Sequence, residues 1–99
     1  MIFSLVVKPE AREELALAAI YYESLSPGLG IRFLDVWEST AANIHRHPLG
    51  YAIKKRNFRQ TMFRSFPYLV VFEVLGNKVV VYAIIHARKH PSKRYKRKA

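Results

Sequence analysis

The sequence predicts an α+β fold, with a helical hairpin packed on one face of a mostly antiparallel sheet in the order β-α-α-β-β-β-β. Three observations carry this. Apolar residues recur at spacings of three and four between Ala11 and Ile44, the period of two amphipathic helices. Beyond Tyr51 the period shortens to two, and Val, Ile, Phe and Tyr dominate, as in strands. Gly76-Asn77 then separates two apolar runs by the two residues of a tight hairpin turn.

The elements follow in order. Residues 2–7 (IFSLVV) read as a short apolar strand. Lys8-Pro9-Glu10 opens the first helix, because Pro suits its first position and Glu10, Glu13 and Glu14 complement the positive end of its dipole. Ala11, Leu15, Ala18, Ala19 and Tyr22 form its packing stripe. Ser26-Pro27-Gly28-Leu29-Gly30 ends it, with Ser26 and Pro27 placed to cap the next helix. There the stripe is Leu29, Phe33, Val36, Trp37, Thr40 and Ile44, and Pro48 and Gly50 stop it.

Residues 51–56 and 58–64 alternate around Asn57, and residues 66–75 and 78–86 complete the four later strands. The run from Val79 to Ile85 has no polar break, which predicts a strand buried on both faces at the centre of the sheet.

Ninety-nine residues make one domain, residues 1–99, with 92–99 as a basic end. The absence of Cys excludes disulfides, thiolate nucleophiles and Cys-based zinc sites, and suits a cytoplasmic protein. Residues 1–7 lack the basic start and cleavage site of a signal peptide. Glu73 and Gly76-Asn77-Lys78 interrupt the apolar stretch before Ile85, so no membrane span or membrane partner is expected.

Charge divides the chain. Residues 1–50 hold four Lys/Arg against six Asp/Glu, a balance of −2; residues 51–99 hold thirteen against one, a balance of +12. A surface that was merely soluble would mix both signs, so the asymmetry points to a polyanion or an acidic protein partner.

Alternation through residues 58–64 puts Gln60, Met62 and Arg64 on one face and Thr61 and Phe63 on the other. With Phe63 turned to the helices, the first three lie on the open face, where His86 at the end of the last strand would bring Arg88 and Lys89 beside them. A groove of Arg64, His86, Arg88, Lys89 and Tyr95 has the chemistry to grip phosphates and stack a base. Arg59, Gln60, Lys93 and Arg94 extend this target-binding set. A metal-independent nuclease would need a general base, a general acid and cations, for which Arg64, His86, Lys89 and Tyr95 are the candidates.

Other motifs take structural readings. His45-Arg46-His47 lies at a helix end without a carboxylate, which favours a helix-terminus role over a metal site. Gly28-Leu29-Gly30 follows a helix and lacks a third glycine, so it is no phosphate loop. Glu73 reads as one half of a strand ion pair. No cofactor or metal is implied.

The ordered combination resembles the RelE/ParE superfamily of bacterial toxins from type II toxin–antitoxin modules. It rests on EELALAAIYYESLSPGLGIRFL in the first half. In the second half it rests on Arg64, Phe66-Pro67-Tyr68 and His86-Ala87-Arg88-Lys89 followed by Pro91. The resemblance implies a growth inhibitor, a plasmid-stabilising role and a cognate acidic antitoxin, with assembly as a homodimer or a heterotetramer with that antitoxin.

RelE-like members cut messenger RNA on the ribosome, whereas ParE-like members inhibit DNA gyrase. By position, Arg64 looks like a family arginine, Lys89 stands at an arginine position and Tyr95 matches a terminal tyrosine. Gln60 and Met62 stand where RelE-like enzymes carry lysines. The resemblance therefore implies a ParE-like gyrase inhibitor first, a ribosome-dependent messenger RNA endonuclease second, and a non-toxic RNA- or ribosome-binding module third.

Overall fold

The computed structural model describes residues 2–88. The expectations for Lys89, Lys93, Arg94, Tyr95 and the basic end fall outside the described residues.

Eight elements follow one another: β1 (Ser4–Val7), α1 (Pro9–Leu25), α2 (Leu29–Arg46), a 3-10 turn at Pro48–Gly50, β2 (Ile53–Lys55), β3 (Phe58–Met62), β4 (Tyr68–Leu75) and β5 (Lys78–His86). The predicted order holds. The five strands form one sheet in the order β1-β5-β4-β3-β2, antiparallel except for the parallel β1–β5 pair. Both helices pack on one face. Their stripes (Ala11, Ala18, Ala19, Phe33 and Ile44) are buried against Phe63, Val70, Phe72, Val79, Val81 and Ile84 of the sheet half. Burial of this apolar area is the main favourable term in the fold.

The helical hairpin closes through a carboxylate. Ser26 does not cap α2; Glu23 of α1 does, accepting the N–H groups of Gly28 (3.0 Å) and Gly30 (2.9 Å). Negative charge suits a helix N-terminus, where these amides have no partner within the helix. Gly28 is left-handed (φ 85°), and a Cβ on Gly30 would stand 2.6 Å from the carbonyl oxygen of Ala19. The two glycines therefore serve a turn and a close helix crossing.

The strands are shorter than their apolar runs. β3 stops at Met62: after one further ladder bond, from Phe63 N–H to the Tyr68 carbonyl, the chain turns at left-handed Ser65 (φ 68°). β4 starts only at Tyr68, since Pro67 has no N–H to give a ladder. At the β4–β5 turn Gly76 has φ 61° while Asn77 stays out of the positive region, the pattern of a type II′ hairpin. β5 is an interior strand flanked by β1 and β4, and its residues from Val79 to Ile84 are all buried.

β5 does not keep a simple alternation. Its register against β4 slips by one residue at Tyr82, between the pairs Phe72↔Val81 and Val71↔Ala83. Val79, Val81 and Ile84 consequently face the helices, while Val80, Tyr82 and Ala83 join Phe58 and Val71 on the opposite face. β1 accompanies β5 only as far as Val81. Beyond that point Glu14 of α1 takes over, accepting the Ile84 N–H at 3.0 Å. Glu14, expected as a dipole partner, is a substitute for a strand.

Candidate functional site

Two of the expected cations, Arg64 and Arg88, lie at one end of the sheet, where β4 begins and β5 ends. Arg64 lies in the loop between β3 and β4, exposed, just before left-handed Ser65. The Pro67 carbonyl of that loop accepts the Ala87 N–H at 2.7 Å, which holds the loop against the end of β5. Arg64 thus shares an end of the molecule with His86 and Arg88. That part of the expected arrangement is present.

The faces differ from expectation. The slip at Tyr82 reverses the alternation, so His86 sits opposite Tyr68 and packs against its ring, centroids 5.4 Å apart and edge to face. Tyr68 belongs to the helix side, where it also contacts Phe33 at 5.2 Å. His86 is therefore at the helix-side rim and not beside Gln60 and Met62, which are paired with Val71 and Leu69 across the open face. The expected single groove becomes a rim that carries Arg64, His86 and Arg88 and a separate open face that carries Gln60 and Met62.

His86 has a defined role in that rim. Its Nδ1 accepts the Arg88 N–H at 3.2 Å, which fixes Nδ1 as an acceptor and leaves the proton of the neutral ring on Nε2. The same contact sets the direction of the backbone at exposed Arg88.

Arg59, expected in the target-binding set, has a partner within the fold. It pairs with Phe72 on the helix side of the sheet, and its guanidinium donates to the Tyr51 carbonyl. It therefore ties β3 to the segment entering β2. Lys54 and Lys55, both exposed on edge strand β2, were outside the sequence reading of the site. A strand exposed at every position has no burial pattern to signal which side meets a partner.

The rim is built on an aromatic cluster. Tyr22, Phe33, Phe63, Phe66 and Tyr68 meet with centroid separations from 4.8 to 6.2 Å. Burial raises the Tyr22 and Tyr68 phenols above their ordinary value, and neighbouring phenols add to this. Phe63 and Phe66, two of these rings, flank Arg64 and Ser65 in the loop between β3 and β4.

A second surface is apolar. Leu17, Ile20, Tyr21 and Leu25 of α1 are exposed, as are Ile31 and Leu34 at the start of α2. Spacings of three and four put them on the outward side of the hairpin, opposite the packing stripe.

His45, one of the two histidines weighed as a metal ligand, donates its Nε2–H to the Phe3 carbonyl at 2.5 Å and joins α2 to the start of β1. Among the described residues, no helix is long and apolar enough to cross a membrane.

Residues 5–91 match the family described as the ParE toxin of the type II toxin–antitoxin system parDE. Two solved structures share the fold. A chain of the chromosomal ParDE TA system from P. aeruginosa has a TM-score of 0.78 at 15% identity, covering 88% of this chain and 98% of that chain. A mutant of the E. coli toxin RelE in the free state has a TM-score of 0.64 at 16% identity, covering 100% of both chains. No curated protein matches the chain.

Proposed function

We propose that this chain, which belongs to the ParE toxin family of type II toxin–antitoxin systems, arrests bacterial growth by binding DNA gyrase. The observation that carries this reading is the open face of β3, where Gln60 and Met62 stand in place of cations. A nuclease needs positive charge at the phosphate it cleaves, since stabilising developing charge is the largest part of such catalysis. Arg59 cannot supply it, being turned to the Tyr51 carbonyl. Arg64 and Arg88 remain as exposed cations on a rigid rim, suited to an acidic protein surface.

An acidic antitoxin is the second partner in this reading. The apolar stripe of Leu17, Ile20, Tyr21 and Leu25 fits an amphipathic helix, and the basic half of the chain fits the antitoxin's charge. A segment that is disordered alone and helical when bound would cover both.

One observation favours a ribosome-dependent messenger RNA endonuclease as the alternative: Nδ1 of His86 accepts the Arg88 N–H, which leaves Nε2 as the ring nitrogen open to a substrate. Inducing the protein alone and following plasmid supercoiling and message integrity separates the two. Loss of supercoiling with intact messages supports gyrase; cleaved messages with normal supercoiling overturn it.

A further inference from the structure

We propose that the β2–β3 hairpin binds the phosphate backbone of duplex DNA through Lys54 and Lys55, on a surface separate from the rim of Arg64, His86 and Arg88. β2 is the outermost strand, paired only with β3, and it is exposed at every position. Each other strand of the sheet sinks part of its length into the fold. Packing therefore does not dictate which side chains β2 carries. Arg64 follows the far end of β3, and the rise of that strand, roughly 14 Å, lies between it and the hairpin turn.

Lysine on an edge strand also discourages pairing with other chains. That accounts for a charge on β2 but not for its extent. Residues 51–64 hold Lys54, Lys55, Arg56, Arg59 and Arg64 and no Asp or Glu. Arg56 takes a left-handed backbone (φ 54°), a conformation that suits Gly or Asn, so a cation stands where the turn favours another residue. Among the described residues neither Lys54 nor Lys55 is ion-paired. Glu73, the one acid in residues 51–99, is wholly buried and leaves their field uncompensated at the surface.

The hairpin's shape and its lack of free rings select the partner. A protein interface needs a buried anchor, often aromatic, and is depleted in Lys. Ile53, 52% exposed, is the one large apolar side chain that β2 offers. A single strand of nucleic acid needs rings on which to stack its bases. Phe58 is wholly buried and Tyr51 is engaged edge-on with Phe72 at 5.6 Å, so the hairpin presents charge without a stacking platform. A two-stranded ribbon fits the major groove of B-form DNA, whereas that of an A-form RNA helix is too narrow for side chains. Ammonium groups at the outer edge of the ribbon then meet the phosphates that border the groove.

Fluorescence anisotropy on the purified full chain tests this, using two unrelated labelled duplexes of about 20 base pairs over a range of salt. Cations elsewhere in the basic half add to the total, so the comparison is between variants. Lys54→Ala/Lys55→Ala should weaken both duplexes alike and lower the slope of log affinity against log salt by about 2. Arg32→Ala/Lys78→Ala removes the same charge from two exposed positions outside the hairpin, and its slope should stay within about 0.5 of wild type. Equal falls in the two variants would mean that total charge binds DNA, and would overturn the proposal. Tighter binding to a single strand of the same length overturns it too, as does an equal effect of Lys54→Ala/Lys55→Ala on capture of polyglutamate, which would assign the hairpin to an acidic protein. Should that variant fail to fold, lysine acylation of the wild type, read by mass spectrometry, decides. Duplex DNA should slow labelling of Lys54 and Lys55 by about threefold or more and leave Lys78 unchanged. Labelling of Lys54 and Lys55 at the same rate with and without DNA overturns the proposal.

Discussion

Glu14 Oε1 accepts the backbone N–H of Ile84 at 3.0 Å, joining the first helix to the last strand beyond the point where β1 ends. The carboxylate satisfies an edge amide that has no neighbouring strand. Removing it leaves that partly buried donor without its acceptor, a loss of about 1–3 kcal/mol. Glu14→Ala should therefore lower the urea midpoint of unfolding, while Glu14→Gln, which keeps an acceptor oxygen, should retain most of the stability. Equal midpoints for Glu14→Ala and wild type would show that water replaces the carboxylate.

Gly30 gives an opposite expectation to helix propensity. In an isolated helix, replacing Gly by Ala stabilises by about 1 kcal/mol. Here the added Cβ would meet the Ala19 carbonyl oxygen at 2.6 Å, and that oxygen is backbone. Gly30→Ala should force α1 and α2 apart and cost about 1–3 kcal/mol, as other overpacked sites do. Thermal unfolding followed by circular dichroism measures the sign directly.

The helices were legible because each packing residue fixes the period. Ala11, Ala18, Ala19, Phe33 and Ile44 are all buried where the spacing puts them. The cap was not legible, because Ser26 is a good N-cap residue and nothing local distinguishes it from a carboxylate reaching from the preceding helix. The site failed at one residue. The run from Val79 to Ile85 is apolar at every position, so it cannot reveal a slip in register. The slip at Tyr82 turns His86 from the open face to Tyr68, and with it goes the groove expected beside Gln60. The burial of Glu73 was not legible either: a single acid in a strand looks like surface until the burial of its face is known.

Tyr22 and Tyr68 make stability depend on pH at the alkaline end. Burial raises both phenols above the ordinary value of 10.0, with coulombic contributions from Tyr68 and Tyr21 at Tyr22, and from Tyr21 at Tyr68. A raised folded-state value means that the contribution is complete below pH 10 and lost as pH rises through the folded-state values. The urea midpoint should fall above pH 10. Tyr22→Phe should flatten that fall, because the ring stays and the titrating group goes. An unchanged slope in Tyr22→Phe would assign the alkaline loss to other groups.

The apolar stripe and the basic rim should separate genetically. Ile20→Asp puts a charge in the centre of the exposed stripe, 65% exposed and away from the core. In the proposed reading it should abolish capture by the antitoxin and leave growth arrest intact, so that co-expression of the antitoxin no longer rescues growth. Rescue of Ile20→Asp by the antitoxin would remove the stripe from that interface.

Arg64 and His86 distinguish the two toxin mechanisms. Arg64 is exposed on the rim, so on the gyrase-binding proposal Arg64→Ala should weaken gyrase inhibition by about 3–10-fold, the scale of a single rim charge. His86→Phe keeps a ring against Tyr68 and removes both ring nitrogens, including the acceptor for the Arg88 N–H. Binding to gyrase needs the shape of the rim but no proton transfer, so supercoiling inhibition by His86→Phe should stay within about threefold of wild type. General acid–base catalysis by His86 would instead lose about 10²–10⁴-fold. Supercoiling and message-cleavage assays on the two purified variants therefore give opposite orders. Arg64→Ala is the weaker inhibitor if the protein acts by binding, and His86→Phe is the weaker toxin if it cuts RNA through His86.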